Sequence, residues 1–188
     1  MILSFIELIN IVITILAVGY IFMDIFRIKG TETYSSRTAG KEEFILSVLT
    51  VSPAIIFHEF GHKLVALALG FNATFNAYFL GLLIGVVLKF TNAPIIFFVP
   101  AYVSIGGTGT LLGQKYGSML IPLAGPLVNG LLFLISLIIT KYELVKGKWY
   151  LSFWASKKIN LFLMILNMIP LPGTDGFHFF NALLNFIF

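Results

Sequence analysis

The chain consists of long apolar stretches separated by shorter polar ones. A bilayer core is crossed by about 20 helical residues, and three stretches are apolar enough and long enough to predict such a helix: residues 3–26, 44–69 and 118–140. Glu7 is one of the few charged residues in the first stretch. Gly70 follows the second stretch at the position where glycine commonly ends a helix.

The polar stretches predict connections between these helices. Residues 27–43 are rich in charged and hydroxyl side chains and predict an aqueous loop. Residues 106–117 are rich in glycine but lack the spacing of a phosphate-binding loop, so we expect a flexible connector. Residues 141–158 contain five lysines and two tryptophans. This composition predicts a loop at the membrane interface.

Residues 71–105 do not predict a further full span. The apolar run 79–89 is only 11 residues long, and residues 93–105 are interrupted by two prolines. Aromatic and β-branched residues, which favour strands, are concentrated in 95–99 and 101–105. A re-entrant segment that contains a strand between residues 93 and 105 is therefore predicted, with a kinked interfacial helix as the alternative.

The last apolar stretch, residues 159–188, is broken in its middle. Residues 167–176 contain two prolines and two glycines, which cannot continue a helix and would present Asp175 from an unwound turn. The predicted fold class is an all-α polytopic membrane protein. We expect about four transmembrane segments, a re-entrant and possibly β-strand segment after the second helix, and a broken last helix.

Composition supports a membrane protein and excludes several other classes. Of the 188 residues, 59% are hydrophobic and only 11% are charged, whereas soluble domains have about 25% charged residues. The net charge of +4 comes from lysines and arginines concentrated in the polar stretches, so we do not expect a nucleic-acid partner. The chain has no cysteine, so a transition metal would need His, Asp or Glu ligands. We expect a multi-pass protein of the cell membrane, in contact with the lipid bilayer.

The run Phe57-His58-Glu59-Phe60-Gly61-His62 lies inside the second apolar stretch. Residues four apart project from one face of a helix, so His58 and His62 can bind one cation. Glu59 is placed to act on water as a general base, as in the H-E-x-x-H arrangement of zinc hydrolases. Ionisable groups at membrane depth are costly, so the cluster is expected to be a functional site.

Two further motifs follow the histidine helix. The third helix contains Gly125-Pro126 and, three residues later, Asn129, which could be a polar group of the site or an interhelical hydrogen-bonding residue. The break in the last stretch contains Asn167, two prolines and Asp175-Gly176. In their order and separation, the three motifs resemble the site-2 protease family of intramembrane zinc metalloproteases.

The resemblance implies a ligand set and a substrate class. His58, His62 and Asp175 would bind one Zn²⁺ per chain, and Glu59 would be the catalytic base. Asn167 would help to position the substrate peptide, and Asn129 or Asn167 could stabilise the oxyanion. The substrates would be transmembrane proteins, cut within the membrane in regulated intramembrane proteolysis. The family also has a strand edge for the substrate at the place of residues 93–105.

The domain organisation is expected to be minimal. Residues 1–188 would form a single integral-membrane protease domain, with the catalytic core at about 44–180 and a first helix and loop at 1–43. Many family members have leucine where this chain has Thr174, and no PDZ or CBS domain is evident. We also expect no counterpart of the helices that follow the aspartate in longer members. We therefore expect a simpler substrate gate, or one supplied by an accessory subunit or a homo-oligomer; His178 has no predicted role.

Two other functions remain as alternatives. A catalytically inactive relative could use the same cavity to bind membrane proteins, although the base Glu59 is intact. A metal transporter would need a continuous polar path across the membrane. Most charged residues instead lie in the polar stretches, which favours the protease.

Overall fold

In a computed structural model of the chain, the described residues are 2–26, 36–93 and 98–188, without the side chains of 36–39. Within this part the chain forms six α-helices, one short 3-10 helix (Met23–Phe26) and two strands. The helices are α1 (Phe5–Phe22), α2 (Ser36–Ala68), α3 (Phe79–Phe90), α4 (Leu111–Lys141), α5 (Lys148–Met168) and α6 (Asp175–Ile187). The strands are β1 (Asn72–Ala77) and β2 (Ala101–Gly106).

Three segments are long and apolar enough to cross a membrane: Phe5–Phe26, Gly40–Ala68 and Leu111–Lys141. They match the three spans that the sequence predicts. Helix α5 is long enough but includes three lysines, and α6 has only 13 residues. A predominantly helical fold with three candidate spans is confirmed and is consistent with a membrane protein, whereas a fourth candidate span is not found in the described residues.

Helix boundaries differ from the predicted ones where charged residues continue a helix. Residues 36–43, predicted as loop, already belong to α2, while residues 27–35 of that loop lie outside the described part. Similarly, α4 begins at Leu111 and not after residue 117, because Thr110 caps it and its hydroxyl accepts the Gly113 N–H. Lysine and glutamine are good helix formers outside the membrane. A prediction from polarity alone therefore placed the starts of α2 and α4 too late in the sequence.

The predicted loop at 141–158 is wrong over most of its length. Helix α5 begins at Lys148 and continues to Met168 without glycine or proline. Only residues 142–147 connect α4 to α5, with Gly147 at a positive φ of 59° before the helix. Lysine and tryptophan at a membrane interface are compatible with a helix as well as with a loop.

The segment after α2 forms a small antiparallel sheet. Gly70, at φ 83°, ends α2 as predicted, and β1 then pairs with β2 in the register Phe75 opposite Val103. The strand predicted at 101–105 is confirmed as β2. Of the strand predicted at 95–99, residues 94–97 lie outside the described part and residues 98–99 are not in a strand. Strand β1 was not predicted.

Helix α2 lies at the centre of the fold and contacts α1, α4, α5 and both strands. Close approach to α4 depends on Gly61, where a Cβ atom would lie 2.8 Å from the Ala124 carbonyl oxygen. Helix α6 packs on α4. Its first turn also approaches the end of α5 closely, because a Cβ atom at Gly176 would lie 2.6 Å from the Met168 carbonyl carbon. These contacts bring the α2 histidines and the α6 aspartate to one place.

Candidate metal centre

His58, His62 and Asp175 converge in the interior of the helical bundle. Their ligand atoms lie within 4.8 Å of one another. The His58 and His62 Nε2 atoms are 3.1 Å apart, and Asp175 Oδ2 is 3.1 Å from the first and 3.3 Å from the second. With metal–ligand distances of about 2.0–2.1 Å, two ligands of a tetrahedral zinc ion are about 3.3 Å apart. The spacing therefore fits three corners of such a site.

Helix α2 supplies both histidines and determines their depth. His58 lies ten residues before Ala68, the last residue of α2, which corresponds to about 15 Å along the helix. Both histidines are buried, as expected for ligands on the face that α2 turns toward α4. Asp175 enters from the first turn of α6, which Thr174 caps by accepting the Phe177 N–H.

The outer nitrogen of each imidazole has an oxygen partner. His58 Nδ1–H donates to Asn129 Oδ1 at 2.6 Å, and His62 Nδ1–H donates to the Ile121 carbonyl oxygen at 2.7 Å. The carbonyl can only accept, so the His62 proton resides on Nδ1. Each histidine thus turns the lone pair of Nε2 toward Asp175, which is how metal-binding histidines are oriented by their partners.

The orientation of the Asn129 amide follows from its neighbours. Its nitrogen donates to the Ala54 carbonyl oxygen and to Asn160 Oδ1, both at 2.9 Å. Asn160 is in turn oriented by its own nitrogen, which donates to the Ser156 carbonyl oxygen. Because two backbone carbonyls can only accept hydrogen bonds, the whole chain of contacts has one consistent assignment, and Asn129 Oδ1 faces His58.

Three acceptors therefore meet without a donor between them. The two Nε2 lone pairs and Asp175 Oδ2 face one another, and Oδ2 is buried without a hydrogen-bond donor among the described residues. Such a group is unfavourable unless a cation lies among its members. The donor set of two imidazoles and one carboxylate is one that zinc prefers, so the residues fit the predicted metal.

Gly125 provides space beside the imidazoles. A Cβ atom at this position would lie 2.6 Å from His62 Cε1 and 2.7 Å from His58 Cε1. Only glycine leaves both rings in place while α4 packs this closely on α2. The motif Gly125-Pro126-x-x-Asn129 thus combines clearance for the rings with a hydrogen bond to one of them.

Glu59 lies next to His58 in α2 and is half-buried. Its carboxylate has no ion pair or hydrogen bond within the described part of the chain. The catalytic role assigned to Glu59 from the sequence stays a prediction.

The other predicted residues have different surroundings. Asn167 is half-buried near the end of α5, and no described hydrogen bond involves its side chain. His178 is exposed on α6 and is not part of the metal-binding group. Asn160 was missed by the sequence analysis, although an asparagine among apolar residues of a helix is a signal of a buried polar contact.

A comparison with curated proteins supports the same assignment. The chain is 32% identical over 173 residues to a protein of Methanocaldococcus jannaschii named as a putative zinc metalloprotease, and the match covers 90% of this chain and 81% of the relative. The chain belongs to the family of site-2-protease-like zinc metalloproteases. No family model matches the chain. No solved structure matches it either.

Membership in this family agrees with the geometry of the three ligands. The relative supports a metalloprotease, and the three candidate spans are consistent with a protein of the membrane. The family does not by itself identify the bond that is cut or the substrate.

Proposed function

We propose that this protein is an intramembrane zinc metalloendopeptidase that cuts transmembrane segments of other membrane proteins. The observation that carries the proposal is the position of the His58–His62–Asp175 group. It lies about 15 Å or less from the end of an apolar helix that is long enough to span a bilayer. A soluble peptide would not need a site at this depth.

The proposed chemistry assigns one role to each side chain. His58, His62 and Asp175 hold one zinc ion, and Asn129 orients His58. A bound zinc supplies Lewis acidity, which makes water easier to deprotonate and polarises a peptide carbonyl. Glu59 accepts the proton of the attacking water. The same carboxyl group then gives this proton to the amine that leaves when the carbon–nitrogen bond breaks.

The two asparagines have separate proposed roles. Both N–H groups of the Asn129 amide already donate, to Ala54 and to Asn160. Asn129 is therefore better suited to orienting His58 than to stabilising an oxyanion. The Asn167 amide has no described partner, and we retain it as the residue that positions the substrate peptide.

The substrate backbone would pair with the outer edge of β2. A transmembrane helix must unwind before its peptide bonds can be cut, and pairing with a strand edge would replace the lost hydrogen bonds. Strand β2 pairs with β1 on one side only, and within the described residues no strand covers its other side. The exposed side chains of β2 include Tyr102 and Ser104.

The test is reconstitution of the purified protein with a single-span substrate in liposomes. We expect Glu59→Gln to retain about one zinc per chain and to lose cleavage, because Glu59 acts on water and does not bind the metal. His58→Ala should lose both zinc and cleavage. Zinc lost from the Glu59→Gln protein but kept by the His58→Ala protein would reverse these roles.

The same liposomes distinguish the alternatives. A binding protein without catalysis would retain the substrate uncut in the presence of zinc, and Glu59→Gln would not change this. A transporter would move zinc across the membrane without any substrate, and this flux would depend on His58. Either result would contradict the proposed protease.

A further inference from the structure

Helix α1 contributes a buried ion pair next to the metal centre. Lys63 follows the ligand His62 directly, and its ammonium group contacts the carboxylate of Glu7 in α1. The Lys63 side chain is completely buried, and the Glu7 side chain is 4% exposed. Either charge alone would be strongly unfavourable at such a position, so the two residues must occur together.

Glu7 also binds the backbone of β1. The same oxygen that contacts Lys63 accepts the Phe75 N–H at 2.7 Å. The second carboxylate oxygen accepts the Ser4 N–H at 2.8 Å, and the Ser4 hydroxyl accepts the Glu7 N–H. The carboxylate is therefore fixed by the first turn of its own helix and joins α1, α2 and β1 at one point.

The contact with Phe75 identifies which backbone groups of β2 are free. The Phe75 N–H points to Glu7 and thus away from β2, so Phe75 and its partner Val103 form a pair without mutual hydrogen bonds. The bond from Tyr78 N–H to the Pro100 carbonyl shows the same alternation. The outward N–H and C=O groups of β2 are accordingly those of Ala101, Val103 and Ile105.

A short series of contacts thus connects the metal ligands with this edge. It runs from His62 through Lys63 to Glu7, then to the Phe75 backbone, and across the sheet to Val103. We propose that Glu7 is a positioning residue that holds the outer edge of β2 at a fixed place relative to the His58–His62–Asp175 group. This inference rests on the proposed function, since the edge matters only if a substrate pairs with it.

The experiment must separate the ion pair from the hydrogen bond to Phe75. Glu7 alone cannot be replaced, because an unpaired Lys63 would unfold the protein. Two double variants remove both charges: Glu7→Gln with Lys63→Met, and Glu7→Leu with Lys63→Met. Methionine resembles the lysine stem in shape, and only the glutamine variant keeps an oxygen that can accept the Phe75 N–H.

The two variants should differ in substrate binding and not in metal content. We expect both to retain about one zinc per chain. The leucine variant should raise the KM for a single-span substrate about tenfold relative to the glutamine variant, at similar kcat, because one backbone hydrogen bond is lost. Equal KM values for the two variants, or loss of zinc from the leucine variant alone, would overturn the proposal.

Amide hydrogen exchange gives a second measurement that needs no catalysis. In the leucine variant, the Phe75 amide should exchange about tenfold faster than in the glutamine variant, and the β2 amides should also be less protected. Equal protection in the two variants would refute the positioning role. If the wild-type protein cuts no substrate while this exchange difference is observed, the proposed function fails and the position of Glu7 is still supported.

Discussion

Asn129 Oδ1 lies 2.6 Å from His58 Nδ1 and connects α4 to the metal-binding face of α2. The amide cannot rotate without placing its nitrogen against the Nδ1–H and its oxygen against the carbonyl of Ala54. The contact therefore determines which imidazole nitrogen has a lone pair for the metal. The tautomer of a ligand on one helix is controlled by a polar residue on another.

Replacement of Asn129 by leucine should weaken metal binding. The His58 Nδ1–H would lose its acceptor, and the affinity for zinc would fall about 10- to 100-fold. Competition with a chelator of known affinity in detergent measures this change.

Ser136→Ala is the matched control for Asn129. Ser136 also lies in α4 and bonds Ser156 in α5, but it does not contact a metal ligand. Its variant should bind zinc as tightly as the wild type. Equal losses in both variants would mean that the α4–α5 contact matters and the orientation of His58 does not.

Gly125→Ala should abolish zinc binding through a steric effect. The added methyl group would overlap the Cε1 atoms of His58 and His62, and the rings would have to move apart. Gly130→Ala, five residues further along α4, is the control because its methyl would meet only the flexible Met164 side chain at 3.1 Å. Zinc content per chain, measured by metal analysis, should differ between the two variants; full occupancy in both would exclude the clash.

Proline in β2 should act differently at adjacent positions. Val103 has its N–H on the outer edge, so Val103→Pro should leave the sheet intact and reduce cleavage of a single-span substrate about tenfold or more. Ser104 has its N–H directed at β1, so Ser104→Pro should break the sheet and lower thermal stability. Normal cleavage by a folded Val103→Pro protein would argue against substrate pairing at this edge.

The metal centre is more predictable from this sequence than the fold around it. The spacing of His58 and His62 determines their common helix face, and the Pro- and Gly-rich break predicts the interruption between α5 and α6 that Asp175 directly follows. The break itself is exposed, and Asp175 lies in the first turn of α6 and not in an unwound turn. The role of the Ile121 carbonyl could not be predicted, because a backbone group has no signature in the sequence and becomes available only through the packing of α4 on α2.

Strand β1 and the first part of α5 were not predicted because of their own residue composition. Strand β1 reads Asn-Ala-Thr-Phe-Asn-Ala, and asparagine and alanine are depleted in strands; pairing with β2 and the bond to Glu7 stabilise it. The start of α5 at Lys148 was not predicted, because lysine and tryptophan are equally compatible with an interfacial loop and with an interfacial helix. Glu7 stood out as a charge in an apolar stretch, but only the fold identifies Lys63 and Phe75 as its partners.

The most direct test of the account is the position of the bond that is cut. A single-span substrate is incubated in liposomes with the wild-type protein and with Glu59→Gln, and the products are identified by mass spectrometry. We expect a new terminus inside the substrate's apolar segment, formed only by the zinc-loaded wild-type protein. Cleavage confined to the aqueous flanks of the substrate, or equal cleavage by the Glu59→Gln protein, would contradict an intramembrane protease that uses Glu59 as its base.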